Sequence, residues 1–160
     1  MTLTVVRTAF VELAGSDALL VERLVRGCSP ASLRRRFFLP RDLDTDLLLG
    51  TYLPYLLAGP PAGVALAAVV DGEPAGLLNL AAAGDRHLEL GILVADRWQR
   101  RGIATALLGH ATTPGRHPGR TVRAGVQPDN AAALALLRTQ PGAHLIATHR
   151  GEYHFEWPLP

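Results

Sequence analysis

The spacing of apolar residues changes along this chain, and each change marks an element. Thr2 to Thr8 is rich in β-branched residues, which predicts a first strand. Leu20 and Leu24, and Val21 and Val25, then recur four apart, the repeat of one helix face; Ser16 stands where an N-cap belongs and Gly27 where the helix ends. Ser29-Pro30 opens a second helix, with proline at its first position and Leu33 and Phe37 as the inner pair. Asp42, Asp44 and Asp46 precede Leu47-Leu48-Leu49 and signal a third helix start, where acids suit the positive end of the dipole.

From Gly63 the period shortens. Val64 to Val70 is an apolar strand, Asp71-Gly72 a hairpin turn, and Ala75 to Leu80 its partner. Gly84-Asp85 turns the chain into a third strand, His87 to Val94. A polar loop, a helix from Gly102 to His110 and a Pro/Gly-rich loop from Thr113 to Arg120 follow. Thr121 to Val126 reads as a strand and Asp129-Asn130 opens a helix to Arg138. His144 to Thr148 and Tyr153 to Trp157 close the chain as strands around Arg150-Gly151. A meander followed by alternating strand and helix predicts an α/β fold: a mixed, mostly antiparallel sheet flanked by helices, one domain over residues 1–160.

Composition narrows the chemistry. With 48% apolar and 19% charged residues the chain is expected to be globular, with a core of its own. The single Cys28 forms no internal bridge, which suits a reducing, cytoplasmic setting. Leu47 to Val70 carries no charge and is long enough to cross a bilayer, but Pro54, Pro60 and Pro61 interrupt it. It therefore reads as helix, turn and strand, with no membrane partner. All 16 basic residues are arginine, which excludes the lysine of a P-loop and Schiff-base lysine catalysis. Net charge is only +2, so Arg34-Arg35-Arg36 reads as a solvated helix face, not a nucleic-acid contact. His144, His149 and His154 lie five apart, alternate faces on strands and have no acid or cysteine at ligand spacing; no metal is expected.

The stretch richest in chemistry is Leu93-Val94-Ala95-Asp96-Arg97-Trp98-Gln99-Arg100-Arg101-Gly102-Ile103-Ala104-Thr105. A strand enters a polar loop that feeds a glycine-opened helix, whose free N–H groups and dipole suit a phosphate. Arg100 and Arg101 add charge, and Gly102 and Ala104 let an anion come close. Taken alone, the same residues also fit a plain strand–turn–helix with a packing glycine.

Gln99-Arg100-Arg101-Gly102-Ile103-Ala104 resembles the Q/R-x-x-G-x-G/A signature of GNAT acyltransferases. Val94 to Leu108, and Ser29 to Phe38 with its S-P-x-S-x-x-x-R-F-F pattern, resemble the bacterial protein-acetyltransferase-like branch of that superfamily. The resemblance implies a GNAT fold and transfer of an acetyl group from acetyl-CoA to a small-molecule or protein amine, by direct attack in a ternary complex. It puts the cosubstrate's pyrophosphate on the backbone from Gln99 to Thr105, its pantetheine arm beside Leu93 and Val94, and a further contact on Asn130. It makes Glu89 the general base, and flanking Leu88 and Leu90 predict partial desolvation of that carboxylate. Where many members carry a tyrosine to protonate the leaving thiolate, this chain has Leu137; Tyr153 is the alternative phenol. The resemblance also allows a homodimer. A catalytically inactive acyl-CoA-binding or protein-interaction module is the competing class.

Overall fold

The structure is a computed structural model that describes residues 6–160. In chain order the elements are β1 (Thr8–Glu12), α1 (Ala18–Arg26), α2 (Pro30–Phe37), α3 (Thr45–Leu56), β2 (Gly63–Val70), β3 (Glu73–Ala83), β4 (His87–Val94), α4 (Ile103–Ala111), β5 (Thr121–Val126), α5 (Ala131–Arg138), β6 (His144–His149) and β7 (Glu152–Pro158). The strands form a single sheet in the order β1-β2-β3-β4-β5-β7-β6, antiparallel everywhere except between β4 and β5.

Local signals explain most of these boundaries. Ser29 caps α2, its hydroxyl accepting from the Ser32 N–H, and Pro30 occupies the first turn, where no N–H is needed. Asp44 caps α3, accepting from the N–H groups of Asp46 and Leu47. Asp71 (φ 49°) and Gly72 (φ 82°) both take left-handed backbone in the β2–β3 hairpin, as a tight two-residue turn requires. The uncharged segment is α3, a turn through Pro60-Pro61, then β2. No helix among the described residues is long and apolar enough to cross a membrane.

Two boundaries differ from expectation. The first strand runs from Thr8 to Glu12, paired antiparallel with β2 so that Thr8 faces Val70 and Glu12 faces Leu66. Residues 2–5 of the expected strand lie outside the described residues. The β-branched signal was local, whereas the bounds follow from what β2 offers for pairing. Ser16 does not cap α1; it sits in a short 3-10 turn, and Asp17 takes the cap position. There the Asp17 carboxylate turns back to accept from the Ala14 N–H.

Alternation along the central strands gives the sheet two apolar faces. On one face α4 and α5 cover Leu78, Leu80, Leu88, Val122, Phe155 and Trp157. On the other, α1, α2 and α3 cover Leu66's neighbours Ala65 and Ala67, with Leu77 and Leu93. Gly76 lets α4 pack closely, since a β-carbon there would lie 2.9 Å from side-chain atoms of Ile103 and Leu107.

Candidate functional site

The site begins where the sheet comes apart. β4 and β5 pair in parallel only over His87–Glu89 and Thr121–Arg123. Beyond that point Leu90 to Val94 and Ala124 to Val126 line opposite walls of one cavity of about 490 Å³. The start of α4 and the start of α5 form its rim, and Ser32, Arg35 and Arg36 of α2 reach it from the other face.

The loop from β4 into α4 is tied down at several points. Asp96 accepts from the Ser29 N–H at 2.7 Å, joining this loop to the cap of α2. The Gln99 side-chain amide donates to the Val94 carbonyl and to the Ser32 hydroxyl, both at 3.0 Å. Arg97 and Arg101 lie over the Trp98 ring at 4.9 and 5.2 Å from its centroid. Arg100 (φ 62°) and Gly102 (φ 77°) both adopt left-handed backbone on either side of Arg101. This conformation gathers successive N–H groups into a concavity suited to an anion. Helix α4 then starts with no side chain capping it, and the N–H groups of Gly102, Ile103, Ala104 and Thr105 have no protein partner among the described residues. An uncapped helix start on a cavity rim is a fit for a phosphate group.

Burial would raise the Asp96 carboxyl's pKa, but bonds from Ser29 and Ser32 outweigh it and hold the carboxyl below the ordinary aspartate value. A depressed folded-state pKa contributes stability that is present above the unfolded value, about 3.9, and is lost as pH falls through the folded value. Asp96→Ala is therefore expected to lower stability by about 1 kcal/mol near pH 7, with the gap to wild type narrower at about pH 3, below the unfolded value. Thermal unfolding at the two pH values measures this; a gap independent of pH counts against the Asp96–Ser29 tie.

Most of the residues singled out from sequence meet at this cavity. Leu93, Val94, Gln99, Arg100, Gly102, Ile103, Ala104, Thr105 and Asn130 all line it. Three placements depart from the expectation. The Gln99 N–H already donates to the Asp96 carbonyl, so the free backbone donors start after it. Arg101 does not line the cavity; it is exposed and stacked on Trp98. Glu89 is exposed, not partly desolvated: its β3 and β2 neighbours on that face, Ala81 and Gly63, are small, and its β5 neighbour Arg123 is paired with Glu156.

The remaining candidates also find places. Asn130 caps α5 through Oδ1, which accepts from the Ala133 N–H, and among the described residues its Nδ2 has no partner. Leu137 is buried and lines the cavity, while Tyr153 stands opposite Val126 on β7, outside the lining. Asp42 and Asp46 pair with Arg34 and Arg26, so with Asp44 at the cap all three acids of the third helix start are engaged locally. Cys28 is half-buried, and burial, then the nearby Asp96 charge, push its thiol up to about 12, out of nucleophilic use.

The arginine run is not a uniform solvated face. Arg34 pairs with Asp42 and Arg35 with Asp129, but Arg36 turns in toward the sheet and lies beside Gly91. Sequence reasoning had Arg36 only as the arginine of the S-P-x-S-x-x-x-R-F-F pattern and as part of a charge run, and missed both its inward turn and Asn79, which holds it. Two signals pointed there: Arg36 follows Ser32 and Leu33 by four and three residues on one helix face, and Gly91 interrupts an apolar strand.

Comparison with known proteins agrees with this architecture. No curated protein matches the chain in sequence. The GNAT domain of PAT from S. lividans superposes with a TM-score of 0.77 at 23% identity, over 95% of this chain and 90% of that one. YncA from Salmonella typhimurium, a putative acetyltransferase solved with its cofactor acetyl-CoA, gives 0.68 at 19% identity, over 96% and 94%. Spermidine N-acetyltransferase from Vibrio cholerae, in complex with CoA and spermine, gives 0.68 at 15% identity, over 95% of each chain. At such identities the likeness speaks for the fold. In sequence, the acetyltransferase (GNAT) family profile matches residues 30–140, which run from the first residue of α2 past the end of α5 and include every cavity-lining residue. With that match over more than half its length, the chain belongs to the GNAT family of acetyl-CoA-dependent acetyltransferases.

Proposed function

We propose that this chain moves an acetyl group from acetyl-CoA to a primary amine, with Glu89 accepting the proton that the amine gives up. The observation that carries the reading is the uncapped start of α4 on the rim of the β4–β5 cleft. Free N–H groups there suit the pyrophosphate, and the parted strands leave the β5-facing edge of β4 open for the pantetheine arm beside Leu93 and Val94, with the Val94 carbonyl already taken by Gln99. Asn130, through its free Nδ2, is suited to a second polar contact at the opposite rim.

Glu89 sits on the same strand, on the face shared with Gly91 and away from α4. Exposure suits a base that works through water. An amine's nitrogen becomes strongly acidic as it bonds to carbon, so a carboxylate close by suffices to take the proton. The patterns over Ser29 to Phe38 and Val94 to Leu108 favour the bacterial protein-acetyltransferase-like branch, and the lone thiol suits a reducing cytoplasm. A second reading, an acyl-CoA-binding module without turnover, is favoured by one observation: Leu137 supplies no proton donor in the cavity.

The two readings separate in one experiment. Calorimetry with acetyl-CoA is expected to give a single site, and a thiol reagent is expected to report CoA release once a panel of amines is added. Binding without release from any amine selects the module; absence of binding removes both readings.

A further inference from the structure

Arg36 is the charged side chain that the proposed chemistry leaves unexplained. Its neighbours in α2 each have a carboxylate, but among the described residues no acid pairs with Arg36. Among the described residues its guanidinium donates from Nη2 to the neutral Oδ1 of Asn79 at 3.2 Å and lies beside the neutral Tyr55 phenol, while its buried Nε has no partner. Asn79 is itself buried and fixed, donating through Nδ2 to the Leu56 carbonyl at 3.0 Å, so its oxygen is held toward the arginine. The guanidinium carbon is 4.9 Å from the Phe37 ring centroid and 6.0 Å from that of Tyr55. Gly91 provides the space, since a β-carbon there would lie 2.3 Å from Nη2. Burial lowers the Arg36 pKa, as expected for a cation short of solvent and of a counter-charge.

Holding a guanidinium this way is costly unless something anionic joins it. Arg36 lines the cleft, and Asn79 also lines a second cavity of about 290 Å³ whose walls include Tyr55, Ala62, Val64 and Ala81. Glu89 and Gly91 are two residues apart on one face of β4, a separation of about 7 Å. One end of this stretch is therefore anionic and the other cationic. We propose that Arg36 binds the carboxylate of the acceptor, so that the substrate is a small amino acid whose amine lies toward Glu89. The proposal rests on the transferase reading above. A guanidinium fork matches a carboxylate through two parallel bonds, and among the described residues Arg36 has no carboxylate partner of its own. A diamine would instead press its second cation against Arg36.

The test pairs each acid with its amide, which removes the charge and keeps the shape. With CoA-saturated protein, calorimetry on a panel of N-acetyl amino acids and their amides is expected to show the best acid binding about ten- to a hundredfold more tightly than its amide. Arg36→Gln, its folding checked by circular dichroism, is expected to bring that ratio to within about twofold. Kinetics should agree: kcat/KM for amino acids, corrected for the fraction of free amine, exceeds that of their amides in wild type and not in Arg36→Gln. Equal binding and equal rates for acids and amides in wild-type protein overturn the proposal without any variant, so a misfolded Arg36→Gln does not rescue it. A preference that survives in folded Arg36→Gln also overturns it. If no amine releases CoA yet acids still bind in an Arg36-dependent way, the transferase reading fails and the carboxylate site stands.

Discussion

Gly102→Asp is expected to abolish acetyl-CoA binding, a loss of at least about a hundredfold in affinity, or roughly 2.7 kcal/mol. Gly102 is the residue on which α4 opens, and its φ of 77° belongs to the left-handed region. Aspartate tolerates that backbone better than most side chains, and a β-carbon at Gly102 meets no atom within 4 Å. The fold should therefore survive, and the effect should come from charge. A carboxylate there would accept from the α4 N–H groups and so cap the helix, competing directly for the donors an anionic ligand needs. Gly102→Ala is the control: a cost of about 1 kcal/mol in stability from the strained φ, with most of the affinity kept. Unchanged binding in folded Gly102→Asp would move the pyrophosphate away from this turn.

The second large effect is at Glu89. Glu89→Gln keeps the shape and removes the proton acceptor, so kcat/KM near pH 7 is expected to fall by about 10²–10⁴. Because the carboxylate is exposed, the lower end of that range is the expected one. Raising the pH supplies free amine from solvent, and the two proteins should converge above about pH 9 as the acceptor titrates. Full activity of Glu89→Gln at pH 7 would make Glu89 a bystander. The profile also separates a base from a residue that only attracts the ammonium, whose loss would raise KM and leave kcat unchanged.

What could be read from sequence was whatever local chemistry determines. Asp71-Gly72, Ser29-Pro30, Asp44 and Asn130 each set a turn or cap within a few residues of themselves, and each stands where it was expected. Gly102 belongs with them, as the helix start its spacing implied. The misreadings concern partners distant in the chain. Whether Glu89 is covered depends on Ala81 and Gly63, and the start of β1 depends on pairing with β2. Arg36 looked like part of a charge run because its neighbours are solvated, and nothing near it in sequence announces Asn79, 43 positions away.

The brief pairing of β4 with β5 has a consequence for solubility. Where those strands part, the sheet has two inner edges in addition to its outer edges, β1 and β6. Open edges are the usual starting points of aggregation, since any extended chain can zip onto them. The outer edge β6 is exposed along its whole length, Leu145 and Ile146 included, and is the strand most liable to such zipping. The inner edges are differently protected. They face each other across a cleft lined by the Arg35–Asp129 ion pair and by the starts of α4 and α5, so a slender single ligand can enter where a second sheet cannot.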